Sequence, residues 1–110
     1  MKSIGERIKH LRKTNNLTQK EFAKLINLSQ GRLSELEKDK TKPSSETLIS
    51  IYQQFKISIN WLLTGEKIEL ESTNDDLKEY IQISQELKEK GYEPKEIKEL
   101  IKAIEKFTKK

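Results

Sequence analysis

The stretch Leu17–Lys40, LTQKEFAKLINLSQGRLSELEKDK, decides how the chain folds. Thr18-Gln19-Lys20-Glu21 has the form of a capping box, in which a hydroxyl and a carboxylate satisfy amides that a helix leaves unpaired at its start. Phe22, Ala23, Leu25 and Ile26 follow at helical spacing over barely two turns. Asn27 then falls where a helix exit needs a left-handed backbone, which Asn tolerates better than most non-glycine residues. Ser29 can cap a second short helix with Leu33 and Leu36 on its inner side and Gln30, Gly31, Arg32, Ser34 and Glu35 elsewhere. Two short helices separated only by Asn27-Leu28-Ser29 therefore fold back on each other, and the second presents a polar face.

The same punctuation extends outward. Upstream, Ser3-Ile4-Gly5-Glu6 is another capping-box pattern, and Ile4, Ile8 and Leu11 predict a helix to about Thr14, ended by Asn15-Asn16. Downstream, Asp39 suits a left-handed exit, Lys38 to Lys42 is a basic loop, and Pro43 closes it. Ser44 or Ser45 caps a helix carrying Leu48, Ile51, Tyr52 and Phe55, and Ser58 opens a fifth, INWLL, stopped by Thr64-Gly65. KIELE at 67–71 alternates too briefly for a strand and reads as linker. Beyond it, Asn74 can cap a helix with Leu77, Tyr80, Ile81, Ser84 and Leu87 that ends at Gly91. Pro94 suits the first turn of a last helix with Ile97, Leu100, Ile101, Ile104 and Phe107.

The expected fold is all-α: a five-helix domain over residues 1–65, a linker over 66–73 and a helical hairpin over 74–110. One apolar stripe per helix buries too little surface for the hairpin to stand alone. It needs a second copy of the chain, which is the expectation, or the chain's own first domain.

Composition narrows the function classes. At 110 residues the chain is one domain's worth, or one very small domain plus an appendage. It has no cysteine, which removes disulfides, thiolate metal sites and cysteine nucleophiles. No apolar run approaches the roughly 18 residues of a membrane span, so a soluble, cytoplasmic protein without a membrane partner is expected. Residues 1–65 hold 12 Lys/Arg against 6 Asp/Glu, whereas residues 66–110 hold 10 Lys against 12 Asp/Glu. Only the first part has an electrostatic reason to approach a polyanion. Carboxylates interleave with lysines at three- and four-residue spacing, as in ELKEKGYEPKEIKELIKAIEK, which serves helix solubility, and no phosphate loop, nucleophile elbow or metal set is present. Neither an enzyme nor a cofactor is expected. His10 lacks partners at metal-ligand spacing and reads as a surface histidine, and Trp61, inside an apolar run with Leu62 and Leu63, reads as packing.

A fold-back of two short helices with a polar second helix is helix-turn-helix geometry. The major groove of DNA, about 12 Å wide, admits one α-helix with slim side chains. Residues 4–65 resemble the Cro/cI-type, xenobiotic-response-element (XRE) family of helix-turn-helix regulators. The resemblance is carried by Arg12 late in the first helix, the run Leu17 to Ala23, Ser29 to Glu37, Pro43 before the fourth helix, and Trp61 to Gly65. Any one of these is weak; in this order and spacing they are specific. Asn27 and Asp39 stand where the family commonly has glycine, and both can adopt left-handed angles.

The resemblance implies a lambda-repressor-like domain that binds double-stranded DNA. It places Gln30, Gly31 and Glu35 opposite base edges, with Arg32 and Ser34 beside them. Gln suits adenine, Glu can accept from cytosine N4, and Gly31 reads nothing through a side chain. Thr18, Gln19, Lys38, Lys40 and Lys42 would meet phosphates, which set register and affinity rather than sequence preference. Arg12 and Glu37 match a pair that forms an internal salt bridge in this family. In layout the chain is similar to small two-part repressors of Gram-positive bacteria and their phages, whose hairpin dimerises and can be captured by a small protein antagonist. That layout implies self-association through Leu77, Tyr80, Ile81, Leu87, Ile97, Leu100, Ile101, Ile104 and Phe107. The expected function is a repressor binding an inverted repeat as a dimer; the alternative is an antitoxin or adaptor that mainly holds another protein.

Overall fold

A computed structural model describes the backbone of residues 3–66 and 75–108, and the side chains of 3–66 and 81–106. The described residues form seven helices: α1 Ile4–Thr14, α2 Gln19–Leu25, α3 Gln30–Glu37, α4 Ser45–Phe55, α5 Ile59–Thr64, α6 Asp75–Glu89 and α7 Pro94–Thr108. The first five start where the sequence places a hydroxyl cap. Ser3, Thr18, Ser29, Ser44 and Ser58 each accept a hydrogen bond from the amide three residues on. At α2 the box is closed on both sides, with the Glu21 carboxylate accepting from the Thr18 amide at 2.9 Å. Most of the linker and the Asn74 cap fall on 67–74, outside the described residues.

Helix exits use left-handed backbone at Asn16, Asn27, Asp39 and Lys56, and at Gly65 and Gly91. Asn27 (φ 62) and Asp39 (φ 60) thus adopt the angles that the family's glycines would adopt. Lys56 carries no such signal in its side chain; the need to turn after α4 outweighs a residue preference of about 1–2 kcal/mol.

Gly5 is required by a close approach. A Cβ there would stand 2.3 Å from the Leu36 carbonyl oxygen and 2.9 Å from that of Glu37, so α1 crosses the end of α3 backbone to backbone.

Among the described residues one hydrophobic core joins the first five helices to the hairpin. Ile8, Phe22, Ile26, Leu33, Leu48, Ile51, Leu62 and Leu63 from the first five helices share it with Ile83, Leu87, Tyr92, Leu100 and Ile104. Helix α7 packs on α4, and α6 packs on α5 and α7. Much of the hairpin's described apolar stripe is thus covered by the chain's own first domain, the other partner named above for it. Leu87, Leu100 and Ile104 are spent inside the molecule, Ile97 and Ile101 pack partly against the same core, and Ile81, 51% exposed, is left outside. Leu77, Tyr80 and Phe107 have side chains outside the described set. The physical reason is proximity: a short connection holds the hairpin at an effective concentration that a separate copy reaches only at high protein concentration.

Candidate nucleic-acid interface

The turn between α2 and α3 is closed by Asn27 N donating to Lys24 O at 3.2 Å and Leu28 N donating to Ala23 O at 2.8 Å. Phe22, Ala23 and Ile26 bury one side of α2, and Leu33 and Leu36 bury one side of α3. At 3.6 residues per turn the direction opposite Leu33 and Leu36 belongs to Gly31, with Ser34 and Glu35 on either side of it. Gln30, Gly31, Arg32 and Glu35 are exposed, and Ser34 is half-buried. A Cβ on Gly31 would meet nothing within 4 Å, so this face is open. Gln30 lies on the α2 flank, lining a groove with Lys20, Lys24 and Asn27. Arg32 lies on the other flank, beside Ser44, Glu46 and Thr47 at the start of α4. The five residues expected to face bases therefore divide into Gly31, Glu35 and the half-buried Ser34 on the outer side, with Gln30 and Arg32 on the two flanks.

Behind this face sits a charged bracket. Arg12 Nε donates to Glu37 Oε2 at 2.7 Å and a second guanidinium nitrogen donates to Oε1 at 3.0 Å, so the pair is bidentate. Arg12 also donates to the Leu17 carbonyl, and the Gln19 amide donates to Glu37 at 3.2 Å. One carboxylate thereby joins α1, α2 and α3. The hydrogen bond from Glu37 raises the Arg12 pKa above its ordinary value. Such a pair holds geometry more than it adds net stability.

Around the rim, Thr18, Lys38 and Lys40 are exposed. The Thr18 amide donates to the Glu21 carboxylate, and the Thr18 hydroxyl accepts from the Glu21 amide and also hydrogen-bonds that carboxylate. Gln19 has one partner already in Glu37. Lys42 is turned away: its Nζ donates to the Lys90 carbonyl at 3.3 Å and lies 4.4 Å from the centre of the Tyr92 ring. The turn of the hairpin thus takes a lysine expected at phosphate, because an ammonium on an aromatic face and a carbonyl is well satisfied there.

Three structural residues carried little sequence signal. Arg7, 3% exposed, donates to the carbonyls of Leu62 at 2.6 Å and Leu63 at 2.8 Å and so binds α1 to the last turn of α5. Its pKa is lowered by burial. Gly5 donates its amide to Asp39 Oδ1 at 2.9 Å. Tyr92, 4% exposed, donates its hydroxyl to the Pro43 carbonyl. Nothing in the sequence marks Arg7 as buried, whereas a lone aromatic beside a turn glycine is the hint for Tyr92. His10 is exposed and its ring lies 6.4 Å from that of Trp61, which packs against the core. Among the described residues no acidic or histidine cluster could hold a metal, and no helix is long and apolar enough to cross a membrane.

Comparison with known proteins agrees with this geometry. The family described as "Helix-turn-helix domain" matches residues 5–68. The chain is 32% identical over 88 residues to the HTH-type transcriptional regulator ImmR of Bacillus subtilis, covering 79% of this chain and 69% of that one. It is 44% identical over 55 residues to the antitoxin PezA of Streptococcus pneumoniae, covering 50% of this chain and 35% of that one. It is 33% identical over 66 residues to the immunity repressor protein of Bacillus phage phi105, covering 60% of this chain and 46% of that one. The chain thus spans just over two thirds of the first relative and less than half of the other two. With its capped helix pair, its open polar face and these matches, the chain belongs to the Cro/cI-type (XRE) family of helix-turn-helix DNA-binding proteins.

Proposed function

We propose that the protein is a transcriptional repressor that reads an inverted-repeat DNA operator through the outer face of α3, acting as a dimer. The observation that carries this reading is the open face of α3 itself. Gly31 and Glu35 point away from a leucine anchor, with Gln30 on the flank, on a helix slim enough for the major groove. Gln30 and Glu35 are the base readers, Arg32 and Ser34 stand beside them, and Gly31 permits close approach. Lys38 and Lys40 are the phosphate contacts, and Gln19 supports Glu37. The net positive charge of residues 1–65 supplies the nonspecific attraction. The name of one relative, the phage immunity repressor, supports repression as the outcome.

Dimer formation follows from information content. One helix reads too few base pairs to select a site, and two copies need half-sites about 34 Å apart. Of the hairpin residues expected to pair copies, the described ones still outside or at the edge of the core are Ile81, Ile97 and Ile101. They are the surface on which a second copy or a small protein antagonist would act.

The 44% identity to an antitoxin favours one second reading, in which holding another protein is the main role. A binding titration across salt concentrations separates the two. A DNA reader loses affinity steeply as salt rises and prefers one inverted repeat by about 10³-fold or more. Shallow salt dependence without sequence preference selects the protein-holding role.

A further inference from the structure

The basic loop between α3 and α4 is tied down at two points. On one side the Asp39 carboxylate accepts from the Gly5 amide at 2.9 Å. On the other, the Tyr92 hydroxyl donates to the Pro43 carbonyl, and Lys42 reaches across the hairpin turn to the Lys90 carbonyl and the Tyr92 ring. Between the tethers the Asp39 and Lys40 amides donate to Leu36 O at 3.1 Å and Glu35 O at 3.0 Å, which extends α3 into the loop. Lys40 stands between the two anchors.

Several features single out the second tether. The Tyr92 hydroxyl sits in the shared core, where a polar atom is kept only with a partner, and that partner is 49 residues away in sequence. Burial, with Glu96 nearby, pushes its pKa upward, which keeps the hydroxyl a donor. Gly91 holds φ 88, and a Cβ there would come within 3.3 Å of Lys42 Nζ, so the glycine also leaves room for the lysine. The Tyr92 amide donates to Leu87 O at 3.0 Å and fixes the turn that presents the ring.

We infer that Tyr92 and Lys42 clamp the α3–α4 loop, so that the turn of the C-terminal hairpin is a positioning element for the phosphate contacts of Lys38 and Lys40. This rests on the DNA-reading function proposed above. Tyr92 touches no DNA; it acts through Pro43 and Lys42. A loop released from the clamp is less often in the binding conformation, and apparent affinity falls by that fraction for every sequence alike.

The test uses the full chain with Tyr92→Phe, which keeps the ring, Lys42→Gln, their double variant, and Ile104→Val as a control that loosens the hairpin elsewhere. Amide hydrogen exchange at Asp39 and Lys40 is measured without DNA, and affinity is measured on a selected duplex across salt concentrations. In Tyr92→Phe those two amides exchange about fivefold faster than in Ile104→Val, and affinity falls by up to about fivefold, the weight of one hydrogen bond. The double variant binds no more weakly than Tyr92→Phe, because Lys42 acts in the same clamp. Equal exchange in Tyr92→Phe and Ile104→Val overturns the clamp. A faster loop with unchanged affinity overturns its positioning role. An additional loss from Lys42→Gln in the Tyr92→Phe background, with the salt slope falling by about one, makes Lys42 a phosphate contact instead. If no duplex is bound at all, the DNA reading fails, while the exchange measurement still decides the clamp.

Discussion

The α2–α3 pair and the α6–α7 hairpin are both two helices joined by a tight turn, yet they are held by different means. Helices α2 and α3, 7 and 8 residues long, are too short to persist alone, and they are defined by caps, a left-handed Asn27 and the Arg12–Glu37 bracket. Helices α6 and α7, each 15 residues, are defined by apolar stripes that α4, α5 and each other cover. Directional hydrogen bonds leave the outer side of α3 free of any packing duty. In the hairpin, Ile83, Leu87, Leu100 and Ile104 go to the common core, and of its described apolar residues Ile81, Ile97 and Ile101 stay outside or at the edge. One pair is built to present a surface and the other to complete an interior.

That contrast can be broken most severely at Leu100, which is fully buried. Leu100→Ala is expected to cost about 3 kcal/mol and to lower the melting temperature of the whole chain in one transition. If α1–α5 melted at an unchanged temperature in that variant, the hairpin would be a separate module. Next comes Glu37→Gln, which strands Arg12 in a mostly buried setting. We expect a loss of about 2 kcal/mol by denaturant titration, with Lys40→Ala, at an exposed site, staying within about 0.5 kcal/mol.

Alkaline titration sharpens the comparison at Tyr92. Its hydroxyl ionises at higher pH in the folded chain than in the unfolded one. The stability this provides is complete below the unfolded value of about 10 and is lost as pH rises from there toward the folded value. Wild type should therefore lose stability above about pH 10 faster than Tyr92→Phe; parallel curves would mean that the hydroxyl is not held in the core. The smallest stability effect is expected at Glu35→Gln, within about 0.5 kcal/mol, because Glu35 is exposed.

The first five helices were legible because each begins with a hydroxyl residue and its exit is marked, at Asn27, Asp39 and Gly65, by a residue that tolerates left-handed angles. The outer side of α3 was legible from sequence too: the spacing of Leu33 and Leu36 says which side is inward. The Arg12–Glu37 pair was legible only through family resemblance, since no local pattern joins residues 25 apart. What covers the hairpin was not legible. An apolar stripe states that it must be buried and is silent about against what, so Leu100 and Ile104 read equally well as a dimer seam or as core. The contact of Lys42 with Tyr92 was not legible for a related reason, as the two lie half a chain apart. Arg7 was overlooked because an arginine on a charged helix gives no sign that it is buried.

The direct test of DNA reading by α3 is selection of preferred duplexes from a random pool, run in parallel for wild type and Glu35→Gln. The wild type is expected to enrich an inverted repeat with half-sites about one helical turn apart, and the variant to change preference at one symmetric position while keeping the rest. Identical preferences in the two proteins, or no enrichment over random duplex, would contradict the assignment of α3 as the reader.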